Sequence, residues 1–253
     1  MINDLNHLVT VVIPVLNEEK AIGRVIRKIK EEGFYNILVV DGFSSDDTFH
    51  QAIKNGVKVI YQKGKGKTGA IETAIKNVET KYLVLLDGDC TYDPRDIENV
   101  VTPLRNSDLV IGVRTFGRKN IPTFNRIGNK LINRIFNQLM GTNLQDVCSG
   151  MYSLKTDFSK NLTFKTEGFD VEVEIAAQAS KHGKISQVPI RYHDRVGRQK
   201  LQPVKDGIHI VYRVLLMAFK MRVNGIPLKG EVLPLQDDDP TRILSHTSAR
   251  ARS

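Results

Sequence analysis

The sequence predicts an α/β domain with a mostly parallel sheet and helices on both faces, and three observations lead there. Five short β-branched runs occur in order: Leu8 to Ile13, Ile37 to Val40, Val57 to Ile60, Tyr82 to Leu86 and Leu109 to Val113. Segments of helical period separate them, which is the βαβ signature. Apart from Thr10 and Lys58 each run is apolar along its length, as strands covered on both faces are. The 253 residues, 41% hydrophobic and 26% charged, suffice for one substantial core and exclude disorder for the bulk of the chain.

The connecting helices are expected over Glu18 to Glu32, Asp46 to Lys54, Thr68 to Val78, Arg95 to Leu104, Asn125 to Met140 and Asp170 to His182. Ser44 and Ser45 ahead of Asp46 and Asp47 offer a helix cap and acids suited to the helix dipole, while Gly33 and Gly183 supply helix ends. A polar stretch from Arg191 to Gln202 precedes a last strong helix, Val204 to Val223. The expected organisation is therefore a single domain over residues 1–203, an amphipathic helical region over 204–230 that packs on the domain or on a membrane surface, and a disordered tail over 231–253.

A formal charge of +9 suits an anionic partner. A nucleic-acid-binding protein is one such reading, but the chain has no RNP-type aromatic cluster, zinc finger or helix-turn-helix, and its charge is concentrated late. Cys90 and Cys148 are too few for a disulfide framework and read as free cytosolic thiols; the six histidines lack metal spacing. The start, with Asp4 and a run interrupted by Pro14, does not resemble a signal peptide, and no run of 18 uncharged apolar residues exists. The expectation is a cytoplasmic protein that does not span a membrane.

In such sheets ligands bind beyond the carboxyl ends of the strands, so the residues after each strand carry the chemistry. The first junction is Pro14-Val15-Leu16-Asn17-Glu18-Glu19 and the second Asp41-Gly42-Phe43-Ser44-Ser45, where Asp41 could accept hydrogen bonds from a nucleobase or ribose. Gly64-Lys65-Gly66-Lys67-Thr68-Gly69 fails as a Walker loop because Tyr61 stands where its first glycine belongs, yet backbone N–H groups and Lys67 at a helix start can still meet a diphosphate. Asp87-Gly88-Asp89 directly follows the fourth run. Residues i and i+2 of an extended chain point the same way, so both carboxylates can converge on one divalent cation that bridges phosphate oxygens. Away from a strand end the same triplet would read as a surface turn.

The succession VVIPVLNEE, VVDGFSSDDT, GKTGAIETAI and DGDCTYDP resembles the family 2 glycosyltransferases of the GT-A, Rossmann-like fold. The later QDVCSGMYSLK, EGFDVEVEIA and VPIRYHDRVGRQKL resemble their dolichyl-phosphate mannose synthase-like branch, so the likeness runs from about Leu8 to Leu201. The resemblance implies a nucleotide-diphosphosugar donor, Mg²⁺ or Mn²⁺, and a polyprenyl or dolichyl phosphate acceptor. It implies that Pro14, Asn17, Glu18 and Asp41 line the nucleoside pocket with Lys67 nearby, that Asp87 and Asp89 hold metal and diphosphate, and that Arg195 and Lys200 close over the phosphates. The chain departs from the family at Gly42, Phe43, Thr91 and Gln199; glucose, N-acetylglucosamine and mannose donors all stay open.

An acceptor phosphate is already an anionic nucleophile, so inverting attack on the anomeric carbon needs positioning and charge neutralisation more than a base. A saccharide or small-molecule acceptor, the alternative within the same fold, would need one. Asp146, Glu172 and Glu174 are the carboxylates left for such a role; the alternation of Val171, Val173 and Ile175 puts the two glutamates on one face, read as solvated. Between Arg191 and Lys229 nine basic residues stand against two acidic ones. Ile208, Val211, Tyr212, Leu215, Leu216 and Phe219 form an apolar stripe among them, and Ile127, Leu131, Ile135 and Leu139 form another. Such stripes pack on the sheet, pair with a second copy in a homo-oligomer, or lie on an anionic membrane; the last is the expectation for a lipid acceptor.

Overall fold

A computed structural model describes residues 5–165, 168, 170–197, 203–223 and 231–233. Eight strands form one sheet: β1 (Val9–Val15), β2 (Ile37–Asp41), β3 (Lys58–Tyr61), β4 (Tyr82–Leu85), β5 (Leu109–Phe116), β6 (Tyr152–Lys155), β7 (Lys184–Arg191) and β8 (Glu231–Val232). Their order is β3-β2-β1-β4-β6-β5-β7-β8. Every pairing is parallel except those of β6, which runs antiparallel between β4 and β5.

The chain builds outward from β1 through β2 to β3 and then returns to lay β4 on the other side of β1, so the strand order reverses at β1 and β4. That reversal opens a crevice at their carboxyl ends. Pro14 helps to open it. Donors of odd-numbered β1 residues face β2, as Val11 N does toward Asn36 O, whereas Val12 O faces β4 and accepts from Leu86 N. The missing N–H of Pro14 therefore points toward β4, beyond the last paired residues Val12 and Leu85, where no ladder bond is lost.

Helices cover both faces. Val9, Val11, Ile13 and Val15 pack with Ile22, Val25, Ile26 and Ile29 of α1 (Ile22–Glu31) and with α4 (Ile97–Val101) on one face. On the other face Val12, Leu38 and Leu83 meet α3 (Gly66–Asn77), α5 (Thr123–Met140), α7 (Val171–His182) and α8 (Pro203–Val223). Two short helices, α2 (Thr48–Lys54) and α6 (Thr156–Ser159), complete the set. The helix expected from Glu18 starts only at Ile22, because Asn17 is left-handed at φ 50° and the next residues form a turn. Ser44 and Ser45 do not cap α2; its N-cap position is Asp47, and the residue before it, Asp46, accepts from Thr48 N at 3.0 Å.

Sequence periodicity misses β6, β7 and β8. Ser186 and Gln187 interrupt the apolar run of β7, yet both are buried and satisfied, Ser186 by Ser107 Oγ at 2.5 Å and Gln187 by Gln145 N at 2.6 Å. Glu231 and Val232, expected to open a tail, instead pair with Lys184 and Ile185 at the exposed edge of β7, where unpaired backbone groups accept one more strand. Residues 234–253 lie outside the described residues.

Candidate active site

The β1 and β2 junctions are laced together. Asn17 N donates to Ser44 Oγ at 2.9 Å, Ser45 N to Asn17 Oδ1 at 2.7 Å, and Glu18 N to Thr48 Oγ1 at 2.7 Å. Asp41 ends β2 fully buried; its Oδ1 accepts from Ser44 N at 2.6 Å, and its Oδ2 is buried with no hydrogen-bond partner among the described residues. A buried carboxylate oxygen left open costs stability unless a donor arrives, and an N–H of a nucleobase is such a donor.

Asp87 and Asp89 follow β4 as expected, and each already holds a cation. Lys67 Nζ lies 2.7 Å from Asp87 Oδ1 and 2.6 Å from Glu172 Oε1. Burial opposes the Lys67 charge, but the two carboxylates outweigh it and hold its pKa well above the ordinary value. Burial in turn raises the pKa of Glu172 against the pull of Lys67. Across the site Arg195 Nη1 meets Asp89 Oδ2 at 2.5 Å and its Nη2 meets Glu18 Oε1 at 2.6 Å. Asp89 Oδ1 also accepts from Thr91 N and Thr91 Oγ1, through a turn in which Cys90 is left-handed at φ 67°. Arg195 arrives on a strap that runs beside this turn: His193 N donates to Thr91 O at 2.8 Å and Val196 N to Asp89 O at 2.9 Å.

The donor set suits Mg²⁺ or Mn²⁺. Asp87 and Asp89 supply hard oxygens, and among the described residues no group of three or more His, Cys, Asp or Glu side chains could hold an ion. Such cations retain waters and take phosphate oxygens, so two carboxylates are enough from the protein.

Asp146 is not in this cluster. Arg114 grips it with Nε and Nη2, both at 2.7 Å, and Arg114 Nη2 also reaches Cys148 O at 3.2 Å. Asp146 thus anchors the loop that leads to Gly150. A Cβ at Gly150 would lie 2.5 Å from Asp87 Oδ2, so only glycine lets this loop close against the site. Gly150 N donates to Tyr92 Oη at 2.6 Å. Glu172 and Glu174 are about 200° apart on α7 and do not share a face, and both are buried rather than solvated because every residue from Val171 to Ala177 is buried. Glu172 turns to Lys67, and Glu174 accepts from Lys165 N at 3.1 Å. Lys200 lies outside the described residues. Arg114 and Gly150 were not legible as site residues from local pattern: Gly150 lies in the family-like segment QDVCSGMYSLK, Arg114 lies in none of them, and Glu172, a candidate carboxylate in sequence, gave no sign of its pairing with Lys67.

A second surface lies on α5 and α8, which pack against each other. Phe124 (61% exposed) and Ile127 (64%) on α5 and Ile208 (67%) and Phe219 (67%) on α8 stand out from it, together with Leu131, Tyr212 and Leu215. Ile210 and Val214 carry the buried side of α8 instead. Arg118, Arg126, Ile127 and Lys130 line a groove of about 280 Å³ here. An adjoining small cavity shares Arg118, Arg126 and Lys130 with the groove and reaches Arg114 and Asp146, at the start of the loop that leads to Gly150. No helix among the described residues is long and apolar enough to cross a membrane.

The sequence pattern of Glycosyl transferase family 2 matches residues 10–163. Glycosyltransferase AglJ of Haloferax volcanii is 34% identical over 206 residues, covering 79% of this chain and 68% of its own. The dolichyl-phosphate hexose transferase of the same organism is 31% identical over 219 residues, covering 85% and 95%. Among solved structures, glucosyl-3-phosphoglycerate synthase from Mycobacterium tuberculosis in complex with Mn²⁺, UDP-glucose and phosphoglyceric acid superposes with a TM-score of 0.67 at 23% identity, over 90% of this chain and 85% of that one.

Proposed function

Because the chain belongs to glycosyl transferase family 2, we propose that it moves a hexosyl unit, with inversion, from a nucleotide-diphosphosugar to a polyprenyl phosphate while bound peripherally at the cytoplasmic membrane face. The observation that carries the acceptor is the pair of outward apolar stripes on α5 and α8 beside the basic groove of Arg118, Arg126 and Lys130. An apolar face flanked by cations lies in a membrane interface, and the groove would then meet a lipid phosphate at headgroup depth.

The site fits an acceptor that is ionised before it arrives. Asp146 is committed to Arg114 and Glu172 to Lys67, so neither carboxylate waits as a base. A phosphate oxygen needs none: it bonds to the anomeric carbon as the bond from that carbon to the nucleoside diphosphate breaks, and the electron pair leaves with the diphosphate. Asp41 Oδ2 would accept from the nucleobase, and the Arg195 guanidinium, still paired with Glu18, would leave Asp89 to bond the diphosphate. A divalent cation held by Asp87 and Asp89 would neutralise the leaving charge.

The second reading, a small phosphorylated acceptor, uses the same basic groove and is favoured by the likeness to a phosphoglycerate-binding fold; it leaves the apolar stripes without a purpose. Radiolabelled uridine- and guanosine-diphosphate sugars offered with polyprenyl phosphate and 3-phosphoglycerate together separate the two. Label in the organic extract supports the lipid reading, and label found only on 3-phosphoglycerate overturns it.

A further inference from the structure

Gly88 separates two carboxylates that are held in the same way. On one side Asp87 and Glu172 share the Lys67 ammonium, at 2.7 and 2.6 Å. On the other side Asp89 and Glu18 share the Arg195 guanidinium, at 2.5 and 2.6 Å. The Lys67 set is acid, base, acid with a net charge of −1, and the contacts of Arg195 with Asp89 and Glu18 repeat that order.

That symmetry poses a problem for metal binding, since a divalent cation approaching Asp87 or Asp89 meets a positive group already seated there. In a site of reduced dielectric two such charges repel strongly. Lys67 Nζ sits 2.7 Å from Asp87 Oδ1, on an oxygen that a cation would take. It has to move off Asp87 while remaining paired, and Glu172 already lies within hydrogen-bond distance for that purpose. Arg195 is in the same position with Glu18. A buried pair that loses one partner is costly, so the second acid is what makes the exchange cheap.

We propose that Glu172 and Glu18 are positioning residues that retain Lys67 and Arg195 when Asp87 and Asp89 turn to a divalent cation. The inference rests on the reading of Asp87 and Asp89 as metal ligands and adds two carboxylates that act on the metal through Lys67 and Arg195. Their effect is on charge: with Glu172 neutral, Lys67 has no anion besides Asp87 in contact among the described residues and competes for it, and the Asp87 set falls to zero net charge. Removing Lys67 as well restores −1.

The test is Mn²⁺ binding to the full chain, read by electron paramagnetic resonance of free Mn²⁺ with uridine diphosphate or guanosine diphosphate present, alongside thermal melts that report folding. Glu172→Gln should raise the Kd for Mn²⁺ about tenfold or more, because one unit of local negative charge is lost. The double variant Lys67→Met/Glu172→Gln should return to within about threefold of wild type, a coupling that neighbouring charges show and independent sites do not. Glu18→Gln should weaken binding in the same direction and keeps the proposal testable if Glu172→Gln fails to fold. Glu172→Gln or a folded Glu18→Gln binding Mn²⁺ as wild type does, or a double variant no better than the single, would overturn the exchange and leave the Asp87 and Asp89 assignment standing. Wild type failing to bind Mn²⁺ with either nucleotide would overturn that assignment, and the exchange with it.

Discussion

The crevice at the ends of β1, β2 and β4 and the outer surface of α5 and α8 meet their proposed ligands in opposite ways. In the crevice nearly every charge is already answered: Asp87 by Lys67, Asp89 by Arg195, and Asp146 outside it by Arg114. On the outer surface Ile127, Ile208 and Phe219 stand exposed next to Arg126 and Lys130. The contrast teaches what each region exchanges on binding. Small ionic ligands replace counter-ions that the chain itself supplies, and the cost of holding carboxylates together is offset beforehand. A lipid surface replaces water, and apolar groups can only be left waiting for it.

The largest effect expected from breaking the crevice is on catalysis. Asp89→Ala should lower transfer by on the order of a thousandfold or more with the fold retained, since the carboxylate, Thr91 and Arg195 form one unit. Reversible loss of activity in a chelator is the companion result, and full activity there would remove Asp87 and Asp89 from the metal role. Next is stability: Arg114→Met leaves Asp146 buried without its cation and should cost about 3–5 kcal/mol in chemical denaturation. A cost near zero would mean that the loop to Gly150 is anchored by other contacts.

On the outer surface, Ile208→Ser with Phe219→Ser should reduce binding to anionic vesicles roughly a hundredfold, since each exposed side chain contributes about 1.5 kcal/mol or more on burial. Flotation at low and high salt measures it, and a transition in the melt unchanged from wild type shows that these residues hold no core. Vesicle binding unaltered by the pair would return α8 to a packing or oligomer role. The smallest effect is on Arg195→Lys, which keeps the charge but cannot span Asp89 and Glu18 with two N–H groups. Turnover should fall about tenfold with little change in melting temperature, by steady-state kinetics. Wild-type turnover for Arg195→Ala would make the strap a solvated surface.

Much of this architecture was legible in one dimension. The runs ending at Ile13, Val40 and Leu86 are buried strands because both faces of the sheet are covered, and continuous apolar sequence is what that environment selects. Asp41, Asp87 and Asp89 could be singled out because strand ends at a reversal of strand order are where ligands bind. β7 was not legible, because Ser186 and Gln187 are satisfied by Ser107 and Gln145, which lie 79 and 42 positions away. Glu172 and Glu174 were read as solvated for the same reason: the partner that buries Glu172 is Lys67, on another helix.

The sequence by itself therefore determined the fold class and the strand ends at which Asp41, Asp87 and Asp89 stand, because hydrophobic period and strand-end position are local properties of the chain. Only the tertiary structure decided how those carboxylates are balanced. Whether Asp146 is a base or an anchor depends on Arg114, whether Lys67 faces solvent or a buried pair depends on Glu172, and whether the α8 stripe points inward or outward depends on which side Ile210 and Val214 take. Charge pairing and burial are set by distances across the fold, and residues far apart in sequence carry no local mark of the partner they will meet.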